Sequence, residues 1–273
     1  MTTPEISIPA GQTGTVPAIE VRDLSIGYGS RTVLENLNFR IEPGQIVTIL
    51  GGSGCGKSTL LKHIIGLYPP LRGDILINGR SIVRAKEAKK RSIMSEFGVA
   101  YQGGALFRSL TLAENIALPM EELTTWSHDE IKKRVSEKLS LVHLDGFESY
   151  MPSDLSGGMI KRAAFARALA LDPKLLFFDE PSAGLDPLTS DMLDNVILEI
   201  RDRTHATIMM VTHELPSIFR VSDRVIMLSA EKKGVVDDGA PAYLRDHSDN
   251  EYVRSFLSRG GTYSGKSTEV DHD

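Results

Sequence analysis

The chain has 273 residues, enough for one large domain or two small ones, and its 41% apolar and 25% charged residues are an ordinary composition for a globular protein. Its 31 basic and 36 acidic side chains leave a net charge of -5, which argues against a surface built mainly for nucleic acid. The single cysteine, Cys55, excludes an internal disulfide. No apolar run approaches the ~20 residues of a membrane-spanning helix, so any membrane-spanning part must come from other chains.

The first structured elements are predicted to be strands. Residues 1–17 are rich in Thr, Pro and Gly and are predicted to be flexible. Residues 18–39 show the pattern of a strand, a turn and a second strand, with Tyr28 at the turn. An exposed aromatic ring at a turn can stack on a purine base, and it can equally pack on its own neighbours. Both interpretations of Tyr28 stay open here.

A phosphate-binding loop is predicted after the next strand. Residues 45–50 form a short apolar, β-branched run, residues 51–58 match G-x-x-x-x-G-K-[ST], and residues 59–66 have a helical pattern. The backbone N–H groups of such a loop, with about +0.5 charge at the helix start, face an anion. Lys57 is expected to reach the β- and γ-phosphates of a nucleotide, and Ser58 to offer its hydroxyl to Mg²⁺. The predicted phosphate-binding residues are Gly51, Gly52, Ser53, Gly54, Cys55, Gly56, Lys57, Ser58 and Thr59.

The same motif occurs a second time near the end of the chain, in residues 260–267. No apolar strand precedes it, and residues 268–273 are too few and too polar for a docked helix. Residues 259–273 are therefore predicted to be a flexible tail.

The region after the first helix contains two short strands and a basic segment. Residues 73–79 are predicted to be a strand that ends in an Asn-Gly turn. Residues 80–92 are strongly basic and are predicted to form a solvated helix face, with lipid head groups or an acidic partner as alternatives. Residues 97–102 are a buried strand with Gln102 at its end, where a carboxamide oxygen can coordinate Mg²⁺ or hold a water.

A helical insertion is predicted between this strand and the next. Residues 111–150 are mainly helical, with capped starts at Thr111 and Ser127, and the helical subdomain is placed at about residues 108–172. Within it, Ser156 is a good N-cap, and Gly157 and Gly158 expose N–H groups at a helix start. This segment is a candidate second anion site that lacks a lysine.

Two carboxylates follow an apolar strand at residues 175–180. The run lacks alternation, which is typical of a central parallel strand buried on both faces. Asp179 at its carboxyl end is expected to orient Mg²⁺ and its waters. Glu180, one residue further, is expected to accept a proton from an attacking water, with an N-cap acid pair as the alternative.

The remaining elements complete a predicted parallel sheet. Asp186 lies in a loop before a helix at about residues 188–201, and a buried strand at 206–212 ends at His213. A lone His at a strand end is usually a satisfied polar group, but here it joins a series of polar strand ends and becomes a candidate γ-phosphate contact. A helix at 215–221, strands near 224–229 and 234–237, and a helix at 241–257 follow.

Taken in order, these motifs resemble the ATP-binding subunit of an ABC transporter over residues 18–258. The resemblance implies an α/β P-loop NTPase fold with a mainly parallel core sheet, an N-terminal antiparallel β subdomain and a helical subdomain. It implies ATP hydrolysis with Mg²⁺, Lys57, Glu180 and His213 as catalytic residues, and Ser58, Gln102 and Asp179 as metal ligands. Nucleotide contacts are implied for Tyr28 (adenine), the phosphate loop (Walker A), Gln102 (Q-loop), Ser156, Gly157 and Gly158 (signature), and Asp186 (D-loop).

Short stretches favour one branch of this family. Residues 155–159 read Leu-Ser-Gly-Gly-Met, with Met159 where most of the family has Gln, and they combine with residues 102–107 and 253–257 to resemble the Mla branch of lipid transport ATPases. That resemblance implies phospholipid transport between the inner and outer membranes from the cytoplasmic face of the bacterial inner membrane. It implies a head-to-tail homodimer, permease subunits (MlaE-like), an MCE-domain protein (MlaD-like), a small STAS-type subunit (MlaB-like), and no nucleic acid.

Three other functions stay open at this point. The chain can be an ABC ATPase for another cargo, such as an amino acid, a metal or a lipoprotein. A soluble ABC ATPase acting on DNA or the ribosome usually has tandem domains or long coiled-coil insertions, and neither pattern is present. A non-hydrolysing regulatory module is disfavoured by the presence of Glu180 and His213.

Overall fold

The computed structural model describes residues 15–258, and both the N-terminal segment before residue 15 and the second loop motif at 260–267 lie outside the described residues. The strands are β1 (Ile19–Tyr28), β2 (Arg31–Ile41), β3 (Ile46–Gly51), β4 (Arg72–Ile77), β5 (Arg80–Ser81), β6 (Phe97–Ala100), β7 (Leu175–Asp179), β8 (Thr207–Val211), β9 (Arg224–Ser229) and β10 (Gly234–Gly239). The helices are α1 (Lys57–Ile64), α2 (Glu87–Met94), α3 (Leu112–Leu123), α4 (His128–Leu141), α5 (Gly157–Ala168), α6 (Pro187–Thr204), α7 (Leu215–Val221), α8 (Pro241–His247) and α9 (Glu251–Ser258), with a 3₁₀ turn at Pro152–Asp154.

The strands form two sheets. The smaller sheet is antiparallel in the order β2-β1-β4-β5, and the larger has the order β10-β9-β3-β8-β7-β6. In the larger sheet only β10 runs antiparallel to its neighbour, while β9, β3, β8, β7 and β6 are parallel. The predicted mixed architecture is therefore confirmed, and the parallel strands bring their carboxyl ends to one edge.

Three apolar clusters hold these layers together. One lies between the smaller sheet, α1 and one face of the larger sheet, with Ile49, Leu60 and Phe177 fully buried. A second packs α3–α6 on the opposite face of the larger sheet, where Phe165 stacks on Phe178 with centroids 4.2 Å apart. The third joins α7, α8 and α9 to β3 and β9. The strands β3, β7 and β8 are consequently buried on both faces, as their continuous apolar runs predict.

Local signals in the sequence account for most element boundaries. Thr111 forms a complete capping box with Glu114, and the hydroxyl of Ser127 accepts from the N–H of Glu130. The Asn-Gly turn after β4 has positive φ at both residues, +48° and +73°, which is the geometry of a type I′ hairpin. Among residues 15–258, no helix combines the length and apolar character needed to cross a bilayer.

Two boundaries differ from the sequence-based prediction. The basic segment 80–92 is not one helix, because Arg80 and Ser81 pair with β4 and the helix begins only at Glu87. The predicted helix at 241–257 is two helices, α8 and α9. The first ends at His247, and Asn250 precedes the second, where its Oδ1 accepts from the N–H of Tyr252 at 3.1 Å.

Candidate functional site

The phosphate loop joins β3 to α1 and is shaped by glycines. Gly51 has φ +152°, and a Cβ there would lie 2.5 Å from the carbonyl oxygen of Leu228, so no side chain fits. Gly56 is the N-cap of α1 at φ +104°, with no side chain capping the helix. The first N–H groups of α1 are therefore left for another acceptor, as an anion site requires.

Lys57 folds back over this loop. Its Nζ donates to the carbonyl oxygens of Gly51 at 2.8 Å and Gly52 at 3.1 Å. The ammonium group is thus held above the loop by backbone oxygens, at the position from which it can reach a phosphate. The loop borders a cleft of about 810 Å³, which is also lined by Glu180 and His213.

Glu180 and His213 meet at the edge of the sheet. Glu180 follows β7 in a left-handed conformation, φ +48°, and its N–H donates to the carbonyl of Val211 at 2.8 Å. Nδ1 of His213 lies 3.1 Å from Oε1 of Glu180 and 3.0 Å from Oε2. Because a carboxylate only accepts hydrogen bonds, Nδ1 is the donor. The predicted acid and histidine therefore form a pair whose members both line the cleft.

Asp179 lies beside this pair and is short of partners. Its Oδ1 is buried and has no hydrogen-bond partner in the described part of the chain. Burial, followed by the neighbouring charge of Glu180, raises the pKa of Asp179, while Lys62, the Ser58 hydroxyl and Lys161 oppose the rise. A buried carboxylate oxygen next to a serine hydroxyl is a donor set that fits Mg²⁺.

Tyr28 lies at the rim of the cleft and is 46% exposed. Its ring packs edge-on against Tyr68, with centroids 5.5 Å apart, and lies 6.2 Å from the ring of His63. The ring therefore packs on its neighbours, and because it also borders the cleft, stacking on a purine base stays a prediction.

Besides Cys55, which is buried, and Asp179, three predicted groups do not border this cleft. Gln102 is exposed beyond β6, and the signature segment and Asp186 belong to the starts of α5 and α6. The carboxylate of Asp186 accepts from the N–H and the hydroxyl of Thr189, at 3.1 and 2.5 Å. A Cβ on Gly158 would lie 2.5 Å from the Thr189 methyl group, so the two helix starts are in contact. Within one chain, these residues form a separate surface.

Lys161 on α5 is a residue that the sequence analysis missed. Its Nζ donates to the carbonyl oxygens of Gln102 and of Glu180, the latter at 3.2 Å, and the residue is 7% exposed. Burial lowers the pKa of Lys161, while Glu180 and Asp179 oppose this. Arg167, one and a half turns later, donates to the carbonyls of Gly104 at 3.0 Å and Ala105 at 2.7 Å. Two cations of α5 therefore hold the loop that follows β6.

The available signal for Lys161 was a lysine two residues before the small and apolar stretch of helix at residues 163–166. A second omission is at the end of the chain, where Tyr252 and Phe256 of α9 also line the cleft. Nothing in the sequence pattern of residues 251–258 indicates contact with a loop two hundred residues earlier.

Comparison with known proteins identifies the family. The sequence model of the family described as "ABC transporter" matches residues 34–183. The chain belongs to the ABC transporter family. It is accordingly an ATPase that couples ATP hydrolysis to transport, and the resemblance inferred from its motifs is confirmed.

Relatives of this ABC ATPase include two groups of transport proteins. The chain is 42% identical over 251 residues to the "Probable ribonucleotide transport ATP-binding protein mkl" of Mycobacterium leprae, covering 91% of this chain and 72% of that protein. It covers 66% of the Mycobacterium tuberculosis protein of the same description. It is 36% identical over 239 residues to the "Intermembrane phospholipid transport system ATP-binding protein MlaF" of Escherichia coli, covering 88% of each.

Solved structures of ABC ATPases have the same fold. The ATP-binding cassette MJ0796, a dimer in a post-hydrolysis state bound to ADP and phosphate, superposes with a TM-score of 0.73 at 28% identity, covering 81% of this chain and 98% of that one. The cbiO1 subunit of a Clostridium perfringens ABC transporter superposes with a TM-score of 0.78 at 27% identity, covering 89% and 95%.

Proposed function

We propose that this ABC ATPase binds MgATP in the cleft beside the phosphate loop and hydrolyses it with Glu180 as the general base. The observation that carries the proposal is the convergence of Lys57, Glu180 and His213 on one cleft, with a helix N-terminus left uncapped. Residues 51–59 form the phosphate site, and Tyr28 stacks on the adenine. Lys57 leaves the carbonyls of its own loop to bind the β- and γ-phosphates.

Magnesium fits the residues at the end of β7. Ser58 and Asp179 would hold the ion through a hydroxyl and a carboxylate oxygen, and Gln102 is the third predicted ligand. When bound, the ion would supply neutralisation of phosphate charge. The unpartnered Oδ1 of Asp179 supports this proposal, because a buried carboxylate oxygen without a donor is costly unless a cation occupies the site.

The chemistry follows from the Glu180–His213 pair. A water oxygen attacks the γ-phosphorus, the bond from that phosphorus to the bridging oxygen of ADP breaks, and the water proton passes to the Glu180 carboxylate. His213 holds that carboxylate through Nδ1–H, which donates to Oε1 at 3.1 Å, and so orients it towards the water. Proton transfer of this kind contributes typically about 10²–10⁴-fold in rate.

The active form is proposed to be a homodimer. The signature residues Ser156, Gly157 and Gly158, together with Asp186, lie outside the chain's own cleft, so a second copy is needed to bring them to the γ-phosphate. The dimeric state of the MJ0796 cassette supports this arrangement. ATP then links the two copies, and its hydrolysis releases them.

A complementation experiment tests both the site and the dimer. Lys57→Ala removes the phosphate lysine, and Ser156→Arg blocks the signature; each variant alone should lose ATPase activity. Mixed in equal amounts, they should recover about a quarter of wild-type activity if subunits exchange at random and each site works alone, because only mixed dimers contain one intact site. Absence of any recovery, with exchange of labelled subunits demonstrated, would contradict a site shared in trans.

The transported cargo is proposed to be phospholipid. The similarity to MlaF over 88% of both chains supports this cargo, together with a permease (MlaE-like), an MCE-domain protein (MlaD-like) and a STAS-type subunit (MlaB-like) at the cytoplasmic face of the inner membrane. The second candidate cargo is a ribonucleotide, because the chain is also similar to the mkl proteins, which are described as probable ribonucleotide transport proteins. Purifying the tagged chain from membranes and identifying its partner chains and bound lipids by mass spectrometry separates the two. Recovery of an MCE-domain partner and phospholipid is expected; a partner complex without lipid would contradict the proposed cargo.

A further inference from the structure

The C-terminal helix α9 is firmly seated against the nucleotide-binding part of the molecule. Val253, Phe256 and Leu257 are buried in the cluster that α7, α8 and α9 make with β3 and β9. That cluster includes Leu50, the residue before the first glycine of the phosphate loop. The position of α9 is therefore fixed relative to this loop by shared apolar packing.

One side chain of α9 reaches the loop itself. The hydroxyl oxygen of Tyr252 accepts a hydrogen bond from the N–H of Gly52 at 3.2 Å, across two hundred residues of sequence. A Cβ on Gly52 would lie 3.3 Å from the same hydroxyl, so the close approach also favours glycine at this position. Phe256 packs against Tyr252 with ring centroids 6.0 Å apart, and both side chains line the cleft.

The peptide groups of Gly52 are thus held from two directions. Lys57 donates to its carbonyl oxygen at 3.1 Å, and Tyr252 accepts from its N–H. When Lys57 moves to a phosphate, its hydrogen bond to the carbonyl oxygen of Gly52 breaks. The hydrogen bond from the N–H of Gly52 to Tyr252 does not involve Lys57. The tyrosine is the contact that can persist while nucleotide is bound.

We propose that Tyr252 is a positioning residue of the phosphate loop, and that through it α9 sets the nucleotide affinity of this ATPase. The hydrogen bond fixes the first bend of the loop before nucleotide arrives, so less loop ordering is required on binding. The inference rests on the assignment of residues 51–58 as the nucleotide loop, made above.

The test is a single-atom change in the full chain. Tyr252→Phe removes only the hydroxyl, and Tyr243→Phe makes the same change on α8, where the ring is 62% exposed and stacks on His247 outside the cleft. Calorimetry with MgADP as the probe avoids turnover. We expect the Kd of Tyr252→Phe to rise about three- to tenfold, as for the loss of one hydrogen bond. Its kcat at saturating ATP should stay within about twofold of wild type, and Tyr243→Phe should bind as wild type does.

Each outcome decides the question. Unchanged or tighter MgADP binding by Tyr252→Phe would overturn the inference, as would an equal loss in Tyr243→Phe. If Tyr252 acts in folding alone, Tyr252→Phe should lower the unfolding temperature of the nucleotide-free protein. Its Kd for MgADP, measured well below that temperature, should then be unchanged, and this result would also overturn the inference. Lys57→Ala is measured alongside. If it binds MgADP as tightly as wild type, the assignment of residues 51–58 as the nucleotide loop fails. If Lys57→Ala binds weakly and Tyr252→Phe binds normally, only the role of Tyr252 is rejected.

Discussion

Asp179 and Asp194 each bury a carboxylate oxygen that has no hydrogen-bond partner in the described part of the chain. Burial raises the pKa of both. Asp179 lies at a strand end beside Ser58 and Glu180, which line the cleft, whereas Asp194 is 2% exposed on α6 against Ser217 of α7. The first place adjoins a hydroxyl and a carboxylate that line the cleft, whereas the second is buried between two helices beside the Ser217 hydroxyl. An unpartnered carboxylate therefore points to a ligand where a cavity and further ligands converge, whereas the raised pKa of Asp194, about 6, means that it takes up a proton at mildly acidic pH.

The largest effect is expected at Glu180, the proposed general base beside Asp179. Glu180→Gln should lower turnover about 10²–10⁴-fold and leave MgATP binding intact, because an amide keeps the shape of the side chain but cannot take a proton. Steady-state phosphate release and equilibrium ATP binding measure the two properties. Glu199→Gln, on the exposed side of α6, is the matched control and should hydrolyse ATP normally. A normal rate in Glu180→Gln would remove the general-base assignment.

Asp179→Asn tests the first half of the comparison. Turnover should fall on the order of 10²-fold with the loss of a metal ligand. The nucleotide-free protein should become more stable, because the neutral amide avoids both burial of a charge and repulsion by Glu180. Thermal unfolding without nucleotide measures this stability, and thermal unfolding with ATP, with and without Mg²⁺, measures the contribution of the metal. If magnesium still adds the wild-type stabilisation to the variant, Asp179 is not a ligand.

Lys161→Met sharpens the contrast by removing a cation that favours the charged form of Asp179. The carbonyl oxygens of Gln102 and Glu180 also lose this donor, so kcat should fall about tenfold. The pKa of Asp179 should rise further. The proposed metal ligand is the ionised carboxylate, so activity should be lost at a higher pH than in wild type as the solution is acidified. Lys161→Arg should restore both the rate and the pH profile. An unshifted acid limb in Lys161→Met would show that Lys161 acts by packing alone.

Asp194→Asn tests the second half and has the smallest effect, on stability only. Burial raises the pKa of this carboxyl to about 6 from 3.8, so folding favours its protonated form. As the pH rises from about 4 to about 6, the free energy of unfolding of wild type should fall and then level off. The Asp194→Asn variant should not show this fall. The variant should therefore be more stable at pH 8, by on the order of 1–3 kcal/mol, and equal near pH 4.

Denaturant unfolding at both pH values checks this prediction, with Asp191→Asn as the exposed control on the same helix. That control should change stability by less than about 1 kcal/mol at either pH, since its ion pair with Arg220 is on the surface. ATP turnover of Asp194→Asn should equal that of wild type. A magnesium-dependent effect in this variant would erase the distinction between the two carboxylates.

The sequence predicted those features that local signals determine. The phosphate loop, the strand ends at Asp179 and His213 and the caps at Thr111 and Ser156 each depend on a few neighbouring residues, and the fold they imply is confirmed. The contacts of Lys161 and Tyr252 were not predictable in this way. Each joins residues that are far apart in sequence, at 102 and 161 or 52 and 252, and only the packing of α5 and α9 brings them together.

The edge strand β6 is held by one neighbouring strand and by the end of a helix. Among the described strands it pairs only with β7, over four residues, and it also contacts the helix α5. A Cβ on Gly98 would lie 1.9 Å from the carbonyl oxygen of Ala168, so the strand backbone lies directly against the end of α5. Amide hydrogen exchange at residues 97–100 should therefore rise whenever α5 is displaced, which makes this strand a built-in reporter of helix movement.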